Sequence, residues 1–158
     1  MQDMTPQDLA SDDFQESVLT FHDGTQRTVL ATEIETKFPD GCLIVSQTDL
    51  DGIIKHVNKS FVTMSGFAEE ELIGQPHYIL RHPDMPPAAF AGLWQTIEKK
   101  EKWHGYVKNI RKDGGYYWVY ATVIPNVRNG EIVSYTSVRR KPSASKVAEC
   151  MELYPTLF

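Results

Sequence analysis

The order of segments along the chain predicts an α+β fold: a five-stranded antiparallel sheet with short helices and one longer helix over one face. Two observations carry this. Two strand-like segments come first, several helical pieces follow, and three strands joined by hairpin turns close the chain. Strands and helices therefore do not alternate as a parallel, doubly wound sheet requires, and no glycine-rich phosphate loop follows a strand.

Each element has a local reason. Thr5-Pro6-Gln7-Asp8 reads as a helix start, with Thr5 as cap, Pro6 in the first turn and an acid three residues after the cap. It predicts a short polar helix up to about Ser17. Val18-Leu19-Thr20-Phe21 and Thr28-Val29-Leu30-Ala31 flank an Asp23-Gly24 turn signal, which suggests a small hairpin with helix as its rival. Phe38-Pro39-Asp40-Gly41 then marks the border of the main domain. Leu43 to Thr48 and Ile53 to Asn58 read as an antiparallel pair around the turn Asp49-Leu50-Asp51-Gly52.

Asn58 can cap a helix over Lys59 to Ser65, which Gly66 stops; Ala68 to Leu72 gives another turn or two, closed by Gly74. Pro86 to Lys100 is the longer helix, with Phe90, Leu93, Trp94 and Ile97 forming one apolar stripe. Strands then run over Trp103 to Arg111, Tyr116 to Ile124 and Ile132 to Val138, separated by Lys112-Asp113-Gly114-Gly115 and by Arg128-Asn129-Gly130-Glu131. Ala144 to Leu153 has helical periodicity.

Composition narrows the function. Sixteen Lys and Arg against 21 Asp and Glu give a formal charge of −5 over 158 residues, so bulk charge does not favour nucleic acid. Hydrophobic residues at 41% and charged residues at 23% suit a globular domain. The two cysteines, Cys42 and Cys150, lie far apart and make neither a disulfide framework nor a thiolate metal site. The five histidines show no metal-ligand spacing, and no nucleophile sits in a recognisable triad setting, so the domain is not expected to be an enzyme.

Several motifs occur together and in one order. They are Val57-Asn58-Lys59-Ser60-Phe61, Ser65-Gly66-Phe67, Glu70-Glu71-Leu72-Ile73-Gly74-Gln75-Pro76-His77 and Arg81-His82-Pro83-Asp84-Met85-Pro86. Ala89-Phe90, Leu93-Trp94, Trp103-His104-Gly105, Lys108 to Gly114 and Tyr117-Trp118-Val119 complete the set. Over residues 40–142 this resembles a PAS sensor domain of the aerotaxis-receptor type. The resemblance implies a PAS fold, non-covalent FAD, and reporting of redox, oxygen or energy state to a chemoreceptor signalling module.

The residues suit such a ligand. A flavin needs flat apolar walls, an amide that both donates and accepts at its polar edge, and a cation near its phosphates. Asn58 and Asn109 are candidate amides, Phe90, Trp94 and Trp103 candidate walls, and Arg81, His82 and Asp84 a candidate run at the phosphate or adenine end. Each has a plainer reading. Asn58 alone reads as a helix cap, Phe90 and Trp94 as ordinary core, and Asn109 as a strand-end polar residue. Asp84 reads as an ion-pair partner of Arg81 or as the cap of the longer helix. The alternatives to FAD are haem, with His77 or His82 as ligand, and a ligand-free module for protein interaction and dimerisation. Cysteinyl-adduct photochemistry is disfavoured, because Arg81-His82-Pro83-Asp84 stands where a reactive Cys would be needed.

The expected organisation is an N-terminal cap or extension over 1–39, the sensor domain over 40–142, and the start of a C-terminal linker helix over 143–158. The expected partner is a chemoreceptor linker or signalling domain, in the same chain of a longer protein or on a separate membrane receptor, with homodimerisation open. The expected setting is cytoplasmic, with a full-length receptor anchored at the inner face of the membrane.

Overall fold

The fold, obtained as a computed structural model, describes residues 1–158. The strands are β1 (Gln15–Thr20), β2 (Gln26–Ala31), β3 (Ile44–Thr48), β4 (Ile54–Val57), β5 (Trp103–Ile110), β6 (Tyr116–Arg128) and β7 (Glu131–Arg140). The helices are α1 (Lys59–Ser65), α2 (Glu69–Leu72), α3 (Pro87–Glu98) and α4 (Ala144–Leu153). Strands β3 to β7 form the expected five-stranded sheet in the order β4-β3-β7-β6-β5, every pair antiparallel. No helix is long and apolar enough to cross a membrane.

The helix predicted from Thr5 to about Ser17 is corrected. A single 3-10 turn covers Pro6–Asp8, and β1 begins at Gln15. The Asp8 carboxylate accepts from the Thr5 N–H at 3.2 Å and its hydroxyl at 3.1 Å, so the start signal is satisfied within one turn. No apolar stripe follows to propagate it, and so short a helix does not hold without packing. The other rivalry resolves as a hairpin: β1 and β2 pair antiparallel across the Asp23-Gly24 turn.

The last two strands run past the predicted ends. Pro125 sits inside β6 and Asn126/Val127 carries a register shift, so the ladder bends there without ending. Asn129 (φ 53°) and Gly130 (φ 80°) both take the left-handed conformation a tight hairpin turn needs. Strand β7 also extends to Arg140, two residues beyond Val138.

One face of the sheet buries the main core: Ile44 and Ile54 from the first strands, Tyr117, Val119 and Ala121 from β6, and Phe61, Met64, Leu72 and Leu80 from the helical side. The β1–β2 hairpin has a second, smaller cluster of Met4, Val29, Leu30 and Ile110. It docks on the main sheet through backbone bonds, Thr32 N to Gly114 O at 2.8 Å and Thr36 N to Tyr116 O at 2.8 Å. Buried Arg27 donates to Ile79 O at 2.7 Å, and Phe38, within the expected border, is itself core. On the outer face, Tyr154 after α4 donates its hydroxyl to Tyr106 O at 2.5 Å and lies beside Trp118.

Candidate functional site

Between the inner face of the sheet and α3 lies a cavity of about 470 Å³. That is within the roughly 300–1,000 Å³ typical of small-molecule sites. Strand parity explains its floor. Trp103, Val107 and Asn109 on β5, Ala121 and Val123 on β6, and Tyr135, Ser137 and Arg139 on β7 all line it. In register Trp103 faces Val123, and Val123 in turn faces Ser137, so these alternate residues share one face. The α3 stripe of Phe90, Leu93, Trp94 and Ile97 forms the opposite wall. Two glycines make room for the rings. A Cβ on Gly105 would stand 2.3 Å from the Trp103 ring, and one on Gly52 3.3 Å from Trp94.

Of the eight residues expected at a site, five converge on this cavity: Arg81, Phe90, Trp94, Trp103 and Asn109. Asn109 is 4% exposed, and its Nδ2 is buried with no partner. Tyr117, opposite it in the ladder, is fully enclosed, and burial pushes its phenol up to about 12. The Arg81 guanidinium carbon lies 5.0 Å from the Phe90 ring centroid; its Nη2 donates to Met85 O at 3.4 Å, and its Nε is buried without a partner.

The other three residues lie off the cavity. The Asn58 amide is consumed by its cap: Oδ1 accepts from Phe61 N and from Val45 N, each at 3.1 Å, and Nδ2 donates to Leu43 O at 3.0 Å. His82 is buried, and its Nδ1 accepts from Asp84 N at 3.0 Å. Burial, then the Lys108 charge, lowers the imidazole to about 4, so it is neutral. Asp84 pairs with Lys108 at 2.7 Å, neither pairing with Arg81 nor capping α3, whose cap position is Pro86. The run Arg81 to Asp84 thus splits, with one residue facing the cavity and two bracing the approach to α3.

Sequence reasoning missed Phe21, His22, Asp23, Tyr78 and Arg139, and named His77 only as a haem ligand. Phe21, His22 and Asp23, at the tip of the β1–β2 hairpin, line the cavity mouth. Phe21 stacks on Tyr78 with ring centroids 3.8 Å apart. The Tyr78 hydroxyl donates to Asp23 at 2.7 Å and holds its carboxyl down to about 2. His77 and Arg139 complete the floor, Arg139 buried and His77 half-buried, with Arg139 Nη2 directed at His77 Nε2 and at Ser46 Oγ, the latter at 3.2 Å. Burial and the Arg139 charge lower His77 to about 3. Strand parity from Tyr135 through Ser137 points to Arg139 once β7 is extended past Val138.

A five-stranded antiparallel sheet in this order, enclosing a ligand-sized cavity under a helix, defines an α+β ligand-binding class of domain. A family model described as the PAS fold matches residues 54–139, more than half the chain, and the chain belongs to that family. The aerotaxis receptor of Escherichia coli K12 is 46% identical over 126 residues, covering 80% of this chain and 25% of the receptor. A nitrogen fixation regulatory protein of Klebsiella oxytoca is 28% identical over 115 residues, covering 72% of this chain and 23% of that protein. The chain thus spans about a quarter of the length of these relatives. In fold it is similar to the light-state structure of the blue-light photoreceptor Aureochrome1 LOV, with a TM-score of 0.63 and 24% identity over 69% of this chain and 88% of that one. The domain is a PAS sensor domain of the kind used in signalling rather than catalysis.

Proposed function

We propose that the cavity holds FAD non-covalently and that the domain reports redox, oxygen or energy state to a chemoreceptor signalling module. The observation that carries this is the aromatic cavity of about 470 Å³ with the unpartnered amide of Asn109 on its floor. Such an orphaned buried donor fits a ligand carrying an acceptor, and a flavin's pyrimidine edge is lined with carbonyl acceptors. The similarity to the aerotaxis receptor supports the same reading.

When bound, the flavin supplies an electron acceptor whose ring nitrogens change between accepting and donating on reduction. The chain's residues do the rest. Trp94, Trp103 and Phe90 wall the ring and exclude water. Asn109 presents either its oxygen or its NH₂ to the changing edge, and Arg81 offers a cation at the mouth. His77 is a poor haem ligand here, because its Nε2 already meets the Arg139 guanidinium.

Residues 1–39 act as a cap, 40–142 as the sensor and 143–158 as the start of a linker that leaves β7 towards the partner. That partner is a chemoreceptor linker or signalling domain, in the same longer chain or on a membrane receptor, and the sensor works on its cytoplasmic side. The test is the colour of the purified chain. A yellow protein absorbing in the blue, which releases FAD on denaturation, is expected. A colourless protein that takes up no added FAD, or a Soret-dominated spectrum, sinks the proposal.

A further inference from the structure

Arg139 is 2% exposed, near the end of the central strand β7, between Ile44 of β3 and Ala121 of β6. Its Nη2 is spent on Ser46 and His77, while Nη1 is buried with no partner. No carboxylate pairs with it. The groups packed around it are the neutral His77, the Tyr117 phenol, the Ser46 hydroxyl and the Phe61 ring, whose centroid lies 5.1 Å from the guanidinium carbon. A buried cation without a counter-charge is costly to keep, and ring stacking offsets only part of that. Yet this guanidinium lines the cavity of about 470 Å³ beneath α3. Its missing partner therefore belongs to whatever fills the cavity.

We propose that Arg139 is an anion-seeking subsite on the cavity floor, which takes an electron-rich oxygen of the occupant and favours the occupant's more negatively charged state. With the flavin proposed above, on which the identity of the occupant rests, that oxygen is a carbonyl of the pyrimidine edge. Reduction puts negative charge on that edge, so Arg139 biases the equilibrium towards the reduced form. Arg139 is one residue from the end of β7, and α4 begins after three intervening residues, so a changed pull on Arg139 acts close to where the chain leaves the sheet.

Two readouts on the full chain test this, with Arg139→Met and Arg139→Lys beside wild type. The first is the reduction potential of the FAD-loaded proteins, titrated against a mediator dye. Arg139→Met is expected to lose tenfold or more in preference for the reduced flavin, a fall of about 30 mV for a two-electron couple. Arg139→Lys, which keeps the charge, is expected between Met and wild type. Equal potentials in fully loaded wild type and Arg139→Met overturn the proposal, as does a Lys variant no different from Met.

The second readout is the melting temperature of flavin-free protein. An uncompensated cation gains nothing for the empty fold, so Arg139→Met should melt no lower than wild type. A clear drop, or failure to fold, makes Arg139 a structural support and overturns the subsite. If wild type takes up no FAD, the flavin reading alone fails, and the flavin-free melts still decide on Arg139.

Discussion

Trp94 and Asn109 meet the same cavity with opposite chemistry. Trp94 is only half-buried because one side of its ring faces open space. Trp94→Ala should therefore cost less than the ~3–5 kcal/mol of a fully enclosed Trp. Its flavin-to-protein ratio, measured on the folded fraction, should fall severalfold; an unchanged ratio removes Trp94 from the site. Asn109→Asp keeps the size but replaces a donor with a carboxylate. In loaded protein the potential should drop, by about 30 mV for each tenfold loss of the reduced state in a two-electron couple. Matching potentials in wild type and Asn109→Asp put this side chain away from the ring.

His77 and His82 set a pH dependence. His77 titrates at about 3 and His82 at about 4 in the fold, against roughly 6.5 in the unfolded chain. Between those values the unfolded state binds more protons, so stability rises with pH. Denaturant midpoints should be flat above pH 7.5 and fall as the pH drops from 6.5 towards 4. A flat or rising midpoint over that range means these rings are charged in the native protein.

Among single residues, legibility followed how many uses a side chain has. Trp94 was legible in place, because a helical stripe has one face and both its readings, cavity wall and core, set the ring on that face. Asn58 carried two compatible readings, cap and ligand, and three local hydrogen bonds decide for the cap. Arg139 went unread because Val138 looked like a strand end, and a basic run of Arg139-Arg140-Lys141 looks solvated from sequence alone.

At the scale of elements, the β1–β2 hairpin is a cavity wall hung on a few contacts. Gly114 sits at φ +85°, and an added Cβ would stand 2.8 Å from Leu30 O and 2.6 Å from Leu9 Cδ2. Gly114→Ala combines backbone strain of about 1–2 kcal/mol with that clash. It should loosen the hairpin, seen as faster hydrogen exchange at the Thr32 and Thr36 amides and weaker flavin retention. Gly130→Ala, at φ +80° in open space, carries the strain without the clash and should leave both readouts near wild type. Exchange at Thr32 unchanged in Gly114→Ala refutes this attachment. The hairpin itself was legible from its Asp-Gly turn. Its docking was not, because the backbone bonds holding it leave no trace in side-chain identity.

Across the whole molecule, the strand order was readable only in outline. Hairpins join neighbours in sequence, so β3–β4, β5–β6 and β6–β7 follow from their turns. The pairing of β3 with β7, Ile44 beside Arg139, joins distant parts of the chain and rests on the shared inner face. The β6–β7 hairpin brings Ser137 and Arg139 beside Val123 and Ala121, and the long-range pairing sets Ser46 and Ile44 on their other side.

Placing the last strand at the centre also governs how the protein comes to exist. Before Glu131 to Arg140 has been synthesised, the β3–β4 and β5–β6 hairpins share no neighbour and the floor is missing its middle. Closure waits on contacts of long sequence separation, the kind that slow folding towards milliseconds to seconds. A small molecule that recognises this floor cannot guide the early steps on a growing chain. It acts only on the finished fold, which it stabilises by mass action. Loading thus follows completion of the sheet, and the fraction of sensor that is loaded follows the supply of ligand.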